Sequence, residues 1–331
     1  MDEKVLQIIK HLTKSSKQQL TLYRDVHIIS SFLNKRPLNN VGLIPSNGYY
    51  GHEFWIKKYS KCKHPICALI EHGLYLGRNT QKVGDEIEYE LNSILTYGDY
   101  REEILLNSFP NFQIEKIGPR IAYAETDINY LKELNTGYEK VLTVFPAHSL
   151  SSIRCKYDVD YLLGEAKKVQ EERDIPTIRI CLPYPDIING NAKEFENRGC
   201  EIVTGGANAI DFLPRLRAII ETSTLTLSNS LGTNLGYCLY LGKQQILIPQ
   251  NIEYTGNKEA IEQEAKGKSE NQKSVYEEEQ EYFLKLFNKD IFSITNEQKK
   301  VANYFWGYEF VKTPEEMNNL IDELFIRYKK L

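Results

Sequence analysis

Short apolar runs of strand length alternate with amphipathic stretches along most of the chain. Residues 66–70 read ICALI, a wholly apolar run that ends abruptly in Glu71-His72-Gly73. An apolar run of this length, bounded by polar residues, is typical of a strand that is buried on both faces. Further strands are predicted at 93–98 and 114–118, with a helix at 101–108 between them. Strands and helices in alternation favour parallel pairing and a doubly wound sheet.

The second half of the chain repeats this pattern. It opens with the apolar run 140–145, KVLTVF, and continues through four more strand candidates that are separated by helix candidates. Five strands with helical crossovers predict a Rossmann-like α/β domain. The predicted strands are 140–145, 177–182, 201–204, 224–227 and 245–249, and the predicted helices are 161–173, 192–198, 212–221 and 234–241.

Polar and charged stretches divide the chain. The glycine-containing run 133–139 (ELNTGYE) lies between the halves, so we assign residues 1–136 and 137–312 to two Rossmann-like domains. Within the second, 253–281 is highly charged, which indicates a solvated helical excursion or flap, with a functional lid as the alternative. Residues 313–331 predict an amphipathic helix that packs back across the domains. Its apolar face comprises Met317, Leu320, Ile321, Leu324, Phe325 and Tyr328, and a second apolar stripe, Val5, Ile8, Ile9 and Leu12, predicts an opening helix.

Composition and charge exclude several classes of protein. The chain has 331 residues, of which 41% are hydrophobic, and a mean hydropathy of −0.44. At ~100–200 residues per domain, this length suits two domains with cores of their own, and the apolar content is too high for a disordered chain. The formal net charge is −4, from 41 Lys+Arg and 45 Asp+Glu. Because nothing in this balance provides a positive field, we expect no nucleic-acid partner.

The sequence also indicates a cytoplasmic location. It has no apolar run of the ~18 residues that a membrane span needs. The opening residues MDEKVLQIIK contain early acids and lack the apolar core of a signal peptide. The six cysteines are scattered without a CxxC pair, so we interpret them as reduced core residues rather than zinc ligands or disulfide partners.

Polar clusters follow four of the predicted strands, and ligands of open α/β sheets bind beyond the carboxyl ends of strands. In the first, Glu71-His72-Gly73, a carboxylate beside an imidazole could supply a general base, although an ordinary turn is the alternative. In the second, His148 and Ser149 precede a helix, and helix N-termini bind phosphate through their unpaired N–H groups.

The other two clusters are rich in glycine and small polar residues. Gly205 and Gly206 would let a nucleotide approach the backbone closely, or would simply form a strand-to-helix turn. The run 228–234 (SNSLGTN) lies between a buried strand and an apolar helix. Its hydroxyls, amides and helix N-terminus offer neutral donors to a diphosphate, whereas the alternative is a well-capped helix.

Motifs of several enzyme classes are absent. The chain lacks the dinucleotide fingerprint G-x-G-x-x-G, the Walker pattern, H-E-x-x-H and G-x-S-x-G. Nicotinamide and flavin enzymes, loop-type ATPases, zinc hydrolases and α/β-hydrolases are therefore disfavoured. The acidic pair Asp158 and Asp160 leads into a helix and is interpreted as an N-cap. We expect no bound metal and no cofactor.

Three blocks of the sequence resemble conserved blocks of bacterial GT-B-fold glycosyltransferases of capsule and lipopolysaccharide biosynthesis. They are VFPAHSL at 144–150, VTGGANAIDFLPRLRAIIETS at 203–223 and LTLSNSLGTNLGYCLYLGK at 225–243. At the level of architecture the resemblance covers most of the chain. It implies two Rossmann-like domains that face a cleft, with the acceptor on the N-terminal side and a nucleotide-sugar on the C-terminal side.

A looser similarity links the chain to bacterial sialyltransferases and Kdo-transferase-type enzymes, which use CMP-linked acidic sugars. Their acidic-acidic-Gly, His-Pro and Ser-Ser/Thr motifs would correspond to 71–73, 148–149 and 228–230, with His72 in place of the second acid and Ser149 in place of the proline. The similarity implies that Glu71 or His72 deprotonates the acceptor hydroxyl and that His148 assists the leaving phosphate, without a metal. The candidate phosphate-binding residues are Ser149, Gly205, Gly206, Ser228, Asn229, Ser230, Gly232, Thr233 and Asn234.

The expected partners are a nucleotide-sugar donor and a glycan or lipid-linked glycan acceptor. Lys57, Lys58, Lys61 and Lys63 could make a peripheral contact with the inner face of a membrane, although a solvated lysine patch is the alternative. Other functions stay open: a nucleotide-sugar 2-epimerase, a CDP-glycerol-type transferase, or a non-enzymatic nucleotide-sugar-binding scaffold of a capsule complex.

Overall fold

The structure is a computed structural model that describes residues 43–80, 83–84, 87, 91–134, 140–149, 153–206, 210–256 and 270–330. Within these ranges it is a mixed α/β protein with two parallel sheets, which confirms the predicted fold class. The predicted opening helix and the predicted domain division at 136/137 lie outside the described residues, as does the middle of the charged stretch 253–281.

The first sheet has three parallel strands in the order β1-β2-β3. The polypeptide that carries it, together with the helices packed on it, is called the first lobe. A 3-10 helix at Pro45–Gly51 leads directly into helix α1, and a second 3-10 helix, Arg120–Tyr123, follows the sheet. The elements are α1 His52–Ser60, β1 Leu69–Ile70, β2 Ser93–Thr96, α2 Asp99–Ser108 and β3 Gln113–Lys116.

The second sheet has five parallel strands, and it forms the second lobe with its crossover helices. Its strands are β4 Val141–Phe145, β6 Thr177–Cys181, β7 Glu201–Val203, β8 Leu225–Ser228 and β9 Gln245–Leu247. They lie in the order β7-β6-β4-β8-β9. Counted within this sheet the order is 3-2-1-4-5, which is that of a Rossmann half with its topological switch between the first and fourth strands. The remaining two strands, β5 Ile153–Lys156 and β10 Glu253–Gly256, pair with each other as an antiparallel ribbon.

Further helices pack around the two sheets. In chain order they include α3 Ile128–Leu134, α4 Val159–Glu172, α5 Tyr184–Ile188, α6 Asn191–Glu196, α7 Phe212–Glu221, α8 Thr233–Tyr240, α9 Glu270–Leu286, α10 Asn296–Trp306 and α11 Pro314–Tyr328, with a 3-10 helix at Tyr308–Phe310. The helices predicted at 161–173, 192–198, 212–221 and 234–241 correspond to α4, α6, α7 and α8. Helices α1, α3, α5 and α10 and the β5–β10 ribbon were not among the elements predicted from sequence, whereas α9 begins within the charged stretch 253–281 that was interpreted as a helical excursion or flap.

Helix α10 ties the lobes together. It carries Trp306, which is fully buried, in one apolar cluster with Tyr97 and Tyr100 of the first lobe and Leu235 of the second. A Cβ at Gly236 of α8 would overlap the indole ring of Trp306, so the ring lies directly on the helix backbone. The two lobes therefore share one continuous apolar core, and the large apolar area of the buried indole stabilises it.

The C-terminal helix α11 packs on the first lobe. Its side chains at Met317, Leu320, Ile321 and Leu324 are buried in the cluster that surrounds β1 and β2. Phe325 and Tyr328 pack against the same cluster and stay partly exposed. The helix begins with a complete capping box between Thr313 and Glu316 and has a proline at its first turn, which are strong start signals.

Candidate functional site

The carboxyl ends of β4 and β8 lie side by side at the switch point of the second sheet. Phe145 is paired with Ser228 at the last register position of both strands. After β4 the chain crosses toward β6, and after β8 it crosses toward β9, which leaves a crevice between the two connections. The segments that leave these two strand ends are 146–149 and 228–234, so two of the clusters predicted from sequence meet here.

The loop after β1 reaches this crevice from the first lobe. The N–H of Leu74 donates to the Thr233 hydroxyl oxygen at 3.0 Å, and a Cβ at Gly73 would lie 3.7 Å from the same oxygen. His72 is the residue directly before Gly73. The tertiary structure therefore brings two distant clusters, 71–73 and 228–234, into contact, and we call this contact the junction.

The N-terminus of α8 faces the junction without a side-chain cap. Gly232 is the N-cap residue, and among the described residues no side chain caps this end of the helix. Uncapped N–H groups at a helix start carry partial positive charge and bind anions. Next to them the Asn234 amide nitrogen is buried and has no hydrogen-bond partner among the described residues. An anion at this helix end would satisfy both sets of donors.

Ser228 and Asn229 shape the turn, and their polar atoms are already paired. The Ser228 hydroxyl lies 2.6 Å from the Phe145 carbonyl oxygen and accepts from the N–H of Ser230. Asn229 accepts from the N–H of Ala147 at 2.6 Å. Both side chains are buried. They position the ends of β4 and β8, while Ser230, which is half-buried, keeps its hydroxyl available within the described part of the chain.

The donors of Ser149 are already hydrogen-bonded to a carboxylate. Its N–H and its hydroxyl donate to the two oxygens of Asp186 at 3.0 and 2.7 Å, and both residues are buried. A phosphate in this position would be repelled by Asp186 and would find the donors of Ser149 already used. We therefore leave Ser149 out of the phosphate site that the sequence suggested.

His148 is exposed at the end of β4, where the sequence analysis placed a phosphate-assisting group. Its Nδ1 lies 3.2 Å from the Ser149 carbonyl oxygen. If Nδ1 carries the proton of this hydrogen bond, Nε2 is an acceptor in the neutral ring and a second donor in the protonated ring.

Gly205 and Gly206 follow β7, at the far edge of the sheet. Gly206 has a φ of +94°, a backbone conformation that favours glycine. A Cβ at Gly205 would lie 3.1 Å from the ring of Phe212, so this glycine makes room for the phenylalanine. Phe212 in turn contacts Tyr50 of the first lobe, with ring centroids 4.7 Å apart. The glycine pair therefore lies beside Phe212, which in turn contacts Tyr50 of the first lobe.

Glu71 forms a buried ion pair with Arg101. The guanidinium donates to Oε1 of Glu71 at 2.9 and 2.5 Å, both side chains are fully buried, and the Thr96 hydroxyl donates to Oε2 at 2.5 Å. Arg101 also donates to the carbonyl oxygens of Tyr75 and Asn79, each at 3.0 Å. With both oxygens paired, Glu71 has no geometry for proton abstraction from a ligand and instead anchors the loop 71–79.

His72 is half-buried and lies among tyrosines. Its Nε2 lies 3.2 Å from the Tyr75 hydroxyl. The rings of Tyr49 and Tyr50 have their centroids 5.5 and 6.3 Å from the imidazole. Tyr50 has a φ of +55°, which is uncommon for a bulky residue and marks a backbone held in place by its surroundings. Burial raises the pKa of Tyr50, so its hydroxyl is protonated at neutral pH.

Arg120 provides a buried positive charge next to the backbone of Glu71. The Arg120 guanidinium donates to the carbonyl oxygens of Glu71 and Leu95, each at 2.9 Å, and has no carboxylate partner among the described residues. Burial, together with Arg120 and His72, holds the pKa of the buried His52 well below its ordinary value. Since Arg101 is neutralised by Glu71 and His52 is uncharged, Arg120 leaves a net positive field that favours an anionic ligand.

Several of these residues were missed from sequence. Arg101 lies on α2, after β2, and Arg120 lies beyond β3, so nothing in their spacing from Glu71 indicates a common site. Tyr49 and Tyr50 lie in the run NGYYG, to which the sequence analysis assigned no role, although paired aromatics between glycines are a usable signal.

A separate open groove of about 490 Å³ lies beside the second lobe, near the start of α4. Tyr157, Tyr161, Gln250 and Asn251 are among its lining residues. Gln250 accepts from the Asn229 amide at 2.6 Å, so the groove adjoins the turn after β8.

The four lysines lie on α1 and in the loop that follows it. Lys58 pairs with Glu125 at 2.6 Å and lies over the Trp55 ring, so part of this positive charge is compensated. No helix in the described residues has the length and hydropathy of a membrane span. Contact of Lys57, Lys58, Lys61 and Lys63 with a membrane stays a prediction.

No family model matches the chain, and no curated protein matches it in sequence. Weak likenesses exist among solved structures. The pneumococcal O-GlcNAc transferase GtfA in complex with UDP and GlcNAc matches 80% of this chain and 51% of its own, at 12% identity and a TM-score of 0.32. UDP-GlcNAc 2-epimerase from Neisseria meningitidis, bound to UDP-GlcNAc, matches 70% and 59%, at 12% identity and a TM-score of 0.32.

A third likeness is to sucrose-phosphate synthase from Thermosynechococcus elongatus. It covers 78% of this chain and 67% of that one, at 13% identity and a TM-score of 0.32. The chain thus spans between 51% and 67% of the length of these three proteins. At this level of identity and superposition, the likenesses by themselves assign no activity to the chain.

Proposed function

We propose that the protein is a glycosyltransferase that binds a nucleotide-sugar at the N-terminus of α8 and transfers the sugar to a hydroxyl group held beside His72. The observation that supports this function most directly is the hydrogen bond between Leu74 and Thr233, because it places the loop of His72 against the uncapped end of α8. A base and an anion site at one junction are the two parts that transfer from a sugar phosphate requires.

The donor phosphates are proposed to lie at the first turn of α8. The backbone N–H groups of Thr233 and Asn234, the Asn234 amide and the Ser230 hydroxyl supply neutral donors there. The buried charge of Arg120 adds a favourable field without touching the ligand. Donors fixed in advance in this way stabilise the charge that develops on the leaving phosphate, so the proposal requires no metal ion.

His72 is proposed as the general base in preference to Glu71. Its imidazole takes the proton of the acceptor hydroxyl while the new bond forms between that oxygen and the anomeric carbon, and the bond from this carbon to the phosphate oxygen breaks. His148, at the end of the neighbouring strand β4, is proposed to donate a hydrogen bond or proton to the leaving phosphate. Tyr49, Tyr50 and Tyr75 provide rings on which sugar faces stack, a common use of amphipathic aromatic side chains.

The finer assignments follow from the resemblance of the sequence blocks and belong to the same proposal. The acceptor is a surface glycan or lipid-linked glycan of the capsule or lipopolysaccharide type, the donor a nucleotide-sugar such as a CMP-linked acidic sugar, and the location cytoplasmic, with Lys57, Lys58, Lys61 and Lys63 facing the membrane. UDP or UDP-GlcNAc is present in two of the structures reported above, and this is in keeping with such a donor.

The first experiment identifies the nucleotide. Thermal unfolding is followed with CMP, CDP, UDP and GDP, since a ligand that binds only the folded state raises the midpoint by mass action. The nucleotide that stabilises the protein is then titrated by calorimetry into wild type, Asn234→Ala and, as a matched control in the separate groove, Tyr161→Ala. We expect at least tenfold weaker binding for Asn234→Ala and unchanged binding for Tyr161→Ala. The reverse pattern would move the donor site to the groove, and no stabilisation by any nucleotide would refute the proposal.

The second experiment tests the base. His72→Gln keeps a polar side chain of similar size but cannot accept and pass on a proton. We expect it to bind the nucleotide as wild type does and to lose ~10²–10⁴-fold in sugar transfer or donor hydrolysis, the range typical of general base catalysis. Wild-type turnover in His72→Gln would contradict the assignment. Release of an isomerised nucleotide-sugar in place of transfer would indicate an epimerase.

A further inference from the structure

Three potential metal ligands meet just beyond the C-terminal end of α1. They are Cys62 and His64, which follow α1, and Asp322, which lies on α11. Their ligand atoms all lie within 4.8 Å of one another. The His64 Nδ1 is 2.7 Å from Asp322 Oδ1, and the Cys62 Sγ is 3.5 Å from the same oxygen. Within the described residues no other group of three such side chains is found.

The backbone holds this arrangement in place. Lys61, the residue between α1 and Cys62, has a φ of +57°, a left-handed conformation that turns the chain sharply at the helix end. The Ser60 hydroxyl then accepts from the N–H of Cys62 at 3.3 Å. Cys62 is 7% exposed and therefore approaches Asp322 from the protein interior.

Neighbouring side chains orient the other two ligands. The His64 ring is stacked on Phe325, with ring centroids 4.3 Å apart, which directs Nδ1 toward Asp322. The second carboxylate oxygen of Asp322 lies 3.3 Å from the Asn318 amide nitrogen, which leaves the first oxygen facing Cys62 and His64. Such outer contacts are characteristic of metal centres, in which they fix the orientation of the ligands.

The donor set and its spacing suit zinc. With bond lengths of about 2.3 Å to sulfur and about 2.0 Å to oxygen, a tetrahedral zinc ion separates these two ligands by roughly 3.5 Å. The observed Sγ–Oδ1 distance is 3.5 Å. The His64–Asp322 distance of 2.7 Å has to widen by about 0.5 Å, which two partly exposed side chains can accommodate. A thiolate and an imidazole favour Zn²⁺ over Mg²⁺ or Ca²⁺, which prefer oxygen ligands alone.

We propose that Cys62, His64 and Asp322 bind one Zn²⁺ ion, with water in the fourth position. Helix α1 begins at His52 beside the junction and ends at Ser60, so about 13 Å of helix separates this centre from the proposed catalytic group. The ion therefore lies too far from His72 to take part in sugar transfer, and it fastens the C-terminal helix α11 to the turn after α1, and so to the lobe that carries His72.

Zinc binding is tested on the full chain after treatment with a chelator and gel filtration. Zn²⁺ alone is titrated by calorimetry, and Co²⁺ is added in parallel because it gives a thiolate charge-transfer band and intense visible bands in a tetrahedral site. We expect one equivalent of Zn²⁺ and both sets of Co²⁺ bands in wild type. Cys62→Ser, His64→Ala and Asp322→Asn should each weaken Zn²⁺ binding at least tenfold, and Cys62→Ser should remove the charge-transfer band.

Cys200→Ser is the matched control, because Cys200 is a half-buried cysteine of the second lobe. It should bind Zn²⁺ as wild type does. His64→Ala changes a partly exposed side chain and is expected to fold, so zinc should raise the unfolding midpoint of wild type and leave that of His64→Ala unchanged. Zinc binding that survives in Cys62→Ser and Asp322→Asn, a stoichiometry of zero, or an equal shift with Mg²⁺ would overturn the proposal.

Discussion

The proposed anion site at the start of α8 can be tested with two variants that differ in charge but hardly in shape. Gly232 has φ −155° and ψ −179°, an extended conformation that any residue adopts. Gly232→Asp and Gly232→Asn place side chains of nearly equal size at the N-cap, and both are among the best N-cap residues. In both variants the new Cβ lies 2.9 Å from Asn234 Oδ1, so the same small shift of that amide is required. The two variants therefore differ essentially in one negative charge.

The expected difference follows from Coulomb's law. A carboxylate at the N-cap would lie about 5 Å from a phosphate bound to the first turn, and at an effective dielectric constant of about 20–40 the repulsion is roughly 1.5–3 kcal/mol per charge. This corresponds to about 10- to 150-fold weaker nucleotide binding by Gly232→Asp than by Gly232→Asn.

The two variants are compared by calorimetric titration with the nucleotide that stabilises wild type, at low and at high ionic strength. Their denaturation midpoints should agree, because both residues cap the helix equally well. Salt should narrow the gap in affinity, because it screens exposed charges. Equal affinity of the two variants, with normal folding of both, would show that the phosphate does not lie at α8.

Three further predictions concern stability. Glu71→Gln removes the partner of a fully buried guanidinium and should lower the free energy of unfolding in urea by about 3–5 kcal/mol. Glu281→Gln, in an exposed helical pair, should leave the unfolding midpoint almost unchanged, and similar losses in the two variants would contradict the buried ion pair. Gly236→Ala should destabilise the protein by about 1–3 kcal/mol, because the new methyl group overlaps the Trp306 ring. Gly164→Ala, with open space at its Cβ, should stabilise it by about 0.5–1 kcal/mol. A change of stability in the same direction for both variants would contradict the contact between Gly236 and Trp306. Because the folded pKa of His52 lies below its unfolded value, the unfolded state binds more protons just below pH ~6.5, and stability should fall as the pH drops through this range, by at most about 1.4 kcal/mol per pH unit. His52→Gln should flatten that slope in denaturation at pH 7, 6 and 5, and an unchanged slope would assign it to other groups.

Much of the secondary structure was predictable from the chain alone. Buried strands in parallel sheets are continuous apolar runs, so β4, β6 and β8 stand out in the sequence, and α11 is recognisable by its stripe and its capping box. The ribbon of β5 and β10 was missed because its strands are four residues long and pair across a separation of about a hundred residues. Helix α10 was missed although its sequence carries two signals of a helix: a complete capping box, and the residues Ala302, Phe305 and Trp306, which lie buried on one face.

The candidate site was predictable only in part. Polar residues at the ends of strands identified His72, His148 and the turn 228–234, because a parallel sheet gathers these ends at one edge. The roles within each cluster depend on partners that lie elsewhere. Glu71 is joined to Arg101 and Ser149 to Asp186, so a carboxylate that resembles a base and a serine that resembles a phosphate ligand are both internal anchors.

What the sequence by itself determined is the periodicity: which segments are strands or helices, and which polar residues end them. These properties are local, since they depend on hydrophobic pattern and on residues a few positions apart. What only the tertiary structure decided is which polar groups face each other. Thr233 accepts from Leu74 across 159 positions, and Asp322 meets Cys62 across 260. Whether a donor is satisfied, a charge compensated or a ligand set complete depends on such contacts, and no spacing along the chain encodes them.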